Sequence, residues 1–272
     1  MTRIKQWVRR SAVLGLVAGG SAVAGACGIS TQQEMEMGRQ YATEINRQLP
    51  LVNDQAVLRY VNNLGRSIAQ HGNRSIPYQF YVVNSNQVNA FAVPGGHIYV
   101  NRGLIERTRN MSELAGVLAH EIAHVEHRHG ISQMERAQTA NLGLTALYVL
   151  LGRQPGALEE AAIGVGGQVY FASHSREAEN EADATAVGLL VRARIDPNGL
   201  PSFFNVLLEE QRRAPSRVEQ WFSTHPTTTD RVANTQRMIQ QVPAAQRQGL
   251  RQNTTEHNTA VNRLRQLPAA RQ

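Results

Sequence analysis

His120-Glu-Ile-Ala-His124 decides the reading of this chain, because it lies within a helical apolar pattern and sets two imidazoles one turn apart around a carboxylate. Residues i and i+4 share a helix face. Two neutral imidazoles at that spacing can bind one Zn²⁺, and Glu121, about a quarter turn round, can reach a metal-activated water without ligating the metal. That is the chemistry of a metalloprotease. Ser112 is a suitable cap for the helix, Leu114, Val117, Leu118 and Ile122 supply its apolar side, and Gly130 is a suitable stop. His127, almost two full turns from His120, falls on nearly the same face and competes as a ligand, although a third ligand from one helix completes a tetrahedral site poorly. On a continuous helix His129 points roughly opposite, which suits packing or hydrogen bonding.

A third ligand must therefore come from elsewhere. Ser175-Arg-Glu-Ala-Glu179-Asn-Glu-Ala-Asp183 opens a second helix carrying Ala184, Val187, Leu189, Leu190 and Val191. Glu179 and Asp183 share a face, so Glu179 can complete a His₂Glu set while Asp183 accepts a hydrogen bond from a ligating imidazole. Glu177 and Glu181 are alternative carboxylates whose ordinary role is solvated surface charge.

Upstream, Thr31 and Glu34 are spaced as a capping box for a helix to about Leu49. Val57, Val61, Leu64 and Ile68 mark a second amphipathic helix, and Tyr78 to Val83 reads as a strand. Asn89-Ala-Phe-Ala-Val-Pro-Gly-Gly-His-Ile-Tyr-Val100 reads as a hairpin turned by Pro-Gly-Gly. Its first residues, Asn89, Ala90, Phe91 and Ala92, are candidates to pair with an extended substrate backbone. Leu142 to Leu151 is strongly apolar but too short to span a bilayer, and Gly152, Gly156, Gly164, Gly166 and Gly167 follow. This stretch reads as a buried helix with a flexible connection, or else as a cover over the cleft or a membrane-facing patch. After Val242 the chain turns Gln-, Arg- and Ala-rich, which predicts a loose helix or disorder without chemistry of its own.

The chain has 272 residues, 42% of them hydrophobic, enough for one domain with a real core. The formal charge of +7 invites a nucleic-acid reading. Yet Arg3, Lys5, Arg9 and Arg10 sit at the extreme N-terminus, and without them 24 basic residues face 21 acidic ones. The remaining arginines form no stripe interleaved with aromatics, so no nucleic-acid partner is expected. The same N-terminus has a positive start, an apolar and small-residue stretch from Ala12 to Ala26, and Ala24-Gly-Ala-Cys27, which together read as an export signal. Arg9-Arg10 admits a twin-arginine reading, but Ala12 and Val13 are not bulky, which favours general secretion. Cys27 is the only cysteine, so no disulfide forms within the chain. Its place resembles a bacterial lipobox, with Ala24 where leucine is usual, and Gly28 after it suggests outer-membrane sorting.

His-Glu-x-x-His followed by Ser-Arg-x-x-Glu-x-x-Ala-Asp resembles metallopeptidase family 48, which includes HtpX and the CaaX prenyl endopeptidases, and within it the exported members of the BepA and LoiP type. The likeness runs from about Gln33 to Gln241 and takes in the Pro-Gly-Gly hairpin and Thr224-His225-Pro226 with Asp230-Arg231. It implies His120, His124 and Glu179 as ligands of one zinc ion per chain, Glu121 as catalytic base, and His225 near the metal as a latch or an oxyanion stabiliser. Neither the multi-span membrane region of HtpX nor the tetratricopeptide array of BepA accompanies the motif, which implies a different delivery of substrate.

The expectation is therefore an α+β, zincin-like (gluzincin) domain, mostly helical with a small antiparallel sheet. Residues 1–26 are read as signal peptide, 27–241 as metallopeptidase domain and 242–272 as polar tail. The expected function is a zinc endopeptidase degrading misfolded or misassembled envelope proteins, tethered by lipid on the periplasmic side of a bacterial membrane. A zinc-containing chaperone or assembly factor for outer-membrane proteins is the alternative.

Overall fold

The computed structural model of the chain describes residues 28–140 and 174–268. The export signal, Cys27 and the apolar run at 142–151 lie outside them. No helix among the described residues is long and apolar enough to cross a membrane.

Helix α1 (Thr31–Gln48) begins with a capping box one residue earlier than expected: Ser30 accepts from the Gln33 amide and the Gln33 side chain returns the bond to the Ser30 amide. Asp54 caps α2 (Gln55–Ala69), whose apolar stripe of Val57, Val61, Leu64 and Ile68 is buried as its spacing demands. Strands β1 (Gln79–Val83), β2 (Ala90–Val93) and β3 (His97–Asn101) form a sheet in the order β1-β3-β2. The hairpin is antiparallel, with Phe91 opposite Tyr99, whereas β1 joins β3 in parallel, so the small sheet is mixed. Gly95 (φ 74°) and Gly96 (φ 88°) make the turn between β2 and β3 in a backbone region that disfavours side chains with a Cβ.

Side chains alternate across this sheet. Phe80, Val82, Ala90, Ala92, Ile98 and Val100 enter the main core with α2 and the motif helix, while Val83, Phe91, Val93 and Tyr99 pack with Ile45, Tyr41 and Leu49 of the α1 region. Both faces are thus covered, which explains why β2 and β3 are buried along their whole length.

After the short α3 (Arg102–Ile105), helix α4 (Met111–Glu126) carries the histidine motif and is buried from Met111 to Val125. Its cap is Asn110, which accepts from the Glu113 amide; Ser112 instead donates its hydroxyl to Asn110. α4 ends at Glu126, before Gly130, because Arg128 adopts a left-handed φ of 55° and α5 (His129–Ala140) starts a new course. α6 (Arg176–Arg192) and α7 (Gly199–Arg213) lie against α4. The α7 approach is close: a Cβ on Gly199 would meet the Ser112 carbonyl oxygen at 2.1 Å. α8 (Pro215–Thr224) packs on α7, and α9 (Thr229–Gln241) packs on α6 and α7.

The stretch after Val242 is not the loose tail its composition suggested. It forms α10 (Ala244–Arg247) and α11 (Thr255–Gln266), and α11 packs on α2 with His257, Ala260, Val261 and Leu264 buried. Its helical stripe is short of large apolar residues, but polar anchors reinforce it. The Tyr60 hydroxyl lies 2.9 Å from Nδ1 of His257, and Arg263 pairs with Asp54 at 2.7 Å.

Candidate metal centre

Helix α4 presents His120 and His124 toward α6, and α6 returns Glu179 and Asp183 from successive turns of one face. Ser175 caps α6 by accepting from the Ala178 amide, which fixes where that face begins. His225 comes from the non-helical link after α8. The result is a buried cluster of His120, His124, Glu179 and His225, each offering one donor atom within 4.8 Å of the others.

The separations test what the cluster can hold. Nε2 of His120 lies 3.0 Å from Nε2 of His124 and 3.4 Å from Nδ1 of His225. Glu179 places Oε1 3.3 Å from Nε2 of His124 and 3.0 Å from Nδ1 of His225, and Oε2 3.5 Å from Nε2 of His120. Ligands about 2.0–2.1 Å from a tetrahedral zinc sit about 3.3–3.4 Å apart. The donor set fits a mononuclear zinc site in both chemistry and spacing.

The nitrogens facing away from the cluster are also fixed. Nδ1 of His120 lies 3.0 Å from Oδ1 of Asp183, as the helical spacing implied. Asp183 in turn accepts two bonds of 2.7 Å from Arg231, which also pairs with Glu179 and stacks over the Phe204 ring at 4.4 Å. Nδ1 of His124 lies 2.8 Å from Nδ1 of His129, whose Nε2 is 3.1 Å from Glu181. His129 therefore does not point away from the motif; the left-handed turn at Arg128 folds it back. Glu177 remains exposed, whereas Glu181 is taken up by His129 and His127. His127 is outside the four-donor cluster, with Nε2 2.7 Å from the Thr185 hydroxyl.

Burial and charge set the titration of these groups. Burial works against a charged His120, but Glu179 and Asp183 outweigh it and lift the imidazole to about 9. His124 is held well below the ordinary imidazole value by burial, with His174 and His120 adding to the effect. Burial opposes ionised Glu179, yet His225, Arg231 and His120 hold it well below the carboxylate range. Glu121 is raised by burial, and its Oε1 is an enclosed atom without a hydrogen bond, 3.5 Å from Nε2 of His225. A carboxylate so placed is poised to take up a proton.

The sequence reading gave Arg231 no role, turned the hydrogen-bonding His129 away from the motif, and missed His174, whose ring stacks on His124 at 4.0 Å. Burial first, and then His225, press His174 down to about 3. Asn89 is buried with Oδ1 unpartnered, and Ala90, Phe91 and Ala92 are enclosed. Among the described residues β2 ends the sheet on the side of α4.

Residues 53–239 match the profile of Peptidase family M48. The chain is 33% identical over 221 residues to the beta-barrel assembly-enhancing protease of Escherichia coli (strain K12), an alignment covering 79% of this chain and 45% of that protein. It is 34% identical over 222 residues to the protein of the same name from Yersinia pestis, again covering 79% and 45%. Metalloprotease YcaL of Escherichia coli (strain K12) is 27% identical over 205 residues, covering 73% of this chain and 72% of that one. The chain thus spans less than half the length of the beta-barrel assembly-enhancing proteases it matches.

Proposed function

The chain belongs to peptidase family M48, and from that premise we propose that it is a zinc metalloendopeptidase that cleaves misfolded or misassembled envelope proteins. The observation carrying this reading is the buried cluster of His120, His124, Glu179 and His225, with donor atoms within 4.8 Å of one another and the buried carboxylate of Glu121 beside them. Zinc bound there supplies a Lewis acid that acidifies water and polarises the scissile carbonyl. Glu121 takes the proton of the attacking water and passes it to the leaving amine. Asp183 orients His120, and Arg231 holds Asp183 and Glu179 in place. An extended substrate would lie alongside β2, the strand packed beside α4, with Asn89 at its start.

His225 acts in this account as a latch. Its Nδ1, 3.4 Å from Nε2 of His120 and 3.0 Å from Oε1 of Glu179, would make His225 a fourth protein donor to bound zinc, and the ring would have to move to admit water for catalysis. Its link between α8 and α9, residues 225–228, is where such a movement can occur. Location follows from the N-terminal reading: export, lipidation of Cys27 and attachment to the periplasmic side of a membrane, by inference the outer one. The names of the relatives, which refer to β-barrel assembly, favour envelope proteins as substrates.

Casein digestion by the purified chain tests the activity. Cleavage that a chelator abolishes and zinc restores is expected. Failure of the zinc-loaded chain to cut, together with an ability to keep unfolded protein soluble, would establish the assembly-factor reading instead. Mass spectrometry of the mature N-terminus tests the anchor, which an unmodified Cys27 thiol excludes.

A further inference from the structure

Beside the four-donor cluster is a second group of donors, of which His129 alone touches the first. His127, His129 and Glu181 each bring one ligand atom within 4.8 Å of the others. Nδ1 of His127 lies 3.1 Å from Oε1 of Glu181, and Nε2 of His129 lies 3.1 Å from Oε2 of the same carboxylate. Arg128 between the histidines makes this possible, since its left-handed backbone turns both rings to one side. The rings lie nearly parallel, 15° apart, with centroids separated by 5.4 Å.

The other nitrogen of each ring is also held, at 2.7 Å from the Thr185 hydroxyl for His127 and 2.8 Å from Nδ1 of His124 for His129. A ligating imidazole is characteristically fixed by donating its other ring N–H, as His127 can to the Thr185 hydroxyl, whereas the facing Nδ1 atoms of His129 and His124 have room for one proton between them. Two imidazoles and a carboxylate suit Zn²⁺ and its neighbours among the transition metals rather than Mg²⁺ or Ca²⁺. Unlike the buried cluster, this one meets solvent: the Glu181 and His127 side chains are 54% and 30% exposed. Water can therefore complete the coordination and assist exchange.

We propose that His127, His129 and Glu181 form a second, exchangeable Zn²⁺ site, and that its occupation restrains the first. The two sites share one connection, His129 against His124. If His124 and His129 both ligated through Nε2 as neutral imidazoles, their Nδ1–H groups would face each other at 2.8 Å, so filling one site costs the other this hydrogen bond and places like charge near it. Each ion consequently weakens the hold on the other, because coupling between sites is reciprocal. The donors of the second site exist whether or not the first is hydrolytic, so the two readings fail separately.

Zn²⁺ titration of the full purified chain, with bound metal counted by atomic spectroscopy and affinities set by chelator competition, tests the site. Two ions per chain are expected, the second held at least ~10-fold more weakly because the sites are coupled and the second is exposed to solvent. His127→Ala should bind one ion, digest casein without added zinc as the parent does, and escape the inhibition that excess Zn²⁺ imposes on the parent. His127→Asp, which restores a donor, should recover the second ion. One ion in the parent, or a second ion held equally by His127→Ala, would overturn the site; equal inhibition of parent and variant would overturn the restraint. Two ions in a parent that cuts nothing would support the second site and count against the peptidase reading alone.

Discussion

Replacing Arg231 with methionine removes a guanidinium that makes two 2.7 Å bonds to Asp183, pairs with Glu179 and covers the Phe204 ring. Asp183 and Glu179 are then two enclosed carboxylates, 1% and 3% exposed, with His120 as their shared cationic neighbour. Removing one member of a buried ionic group costs about 3–5 kcal/mol, most of it from the charge left behind. With a urea slope of roughly 3 kcal/mol/M for a chain of this size, the metal-free variant should unfold about 1–1.7 M earlier than the parent. Zinc should shrink that gap, because a dication among the same groups offsets the negative charge that Arg231 no longer balances. Paired urea unfolding with and without zinc, followed by circular dichroism, measures both effects. A shift below ~0.3 M without metal would refute the role assigned to Arg231, and an identical shift with and without zinc would refute the charge argument.

Two further outcomes follow from the cluster. His225→Ala should keep its zinc on three donors and raise basal casein hydrolysis about 10-fold, equivalent to removing roughly 1.4 kcal/mol of bias toward the closed arrangement; a fall in kcat with zinc content unchanged would make His225 an oxyanion stabiliser instead. In the metal-free chain His120 stays charged up to about pH 9, so zinc must displace its proton at neutral pH. Affinity should therefore rise about 10-fold per pH unit from 7 toward 9 and flatten above, measured by competition with a chelator of known protonation; affinity independent of pH over that range would contradict the charged state.

What the sequence made legible was what regular geometry carries. His120 with His124 and Glu179 with Asp183 are i, i+4 pairs on uninterrupted helices, so their faces follow from periodicity alone. The hairpin was equally plain, since Pro-Gly-Gly punctuates two apolar runs. The parallel pairing of β1 with β3 was not, because it requires β1 to pass over β2, and no local signal records strand order. His129 was misdirected by a single residue: a left-handed Arg128 breaks the helical phase, and arginine does not advertise that conformation as glycine would. Arg231 and His174 reach the site through tertiary convergence, although the Asp230-Arg231 segment was already conspicuous. The ordered end of the chain was hidden by composition, since α11 combines few large apolar residues with the enclosed His257 and the Arg263–Asp54 pair.

The account rests on a division of labour in which His120, His124 and Glu179 hold the metal while Glu121 moves protons. Zinc content and casein hydrolysis of Glu121→Gln, measured on one preparation after dialysis against metal-free buffer, test it most directly. The variant should keep the tightly held zinc ion of the parent and lose about 10²–10⁴-fold in rate. Hydrolysis within a few-fold of the parent, or loss of that ion along with the activity, would contradict it.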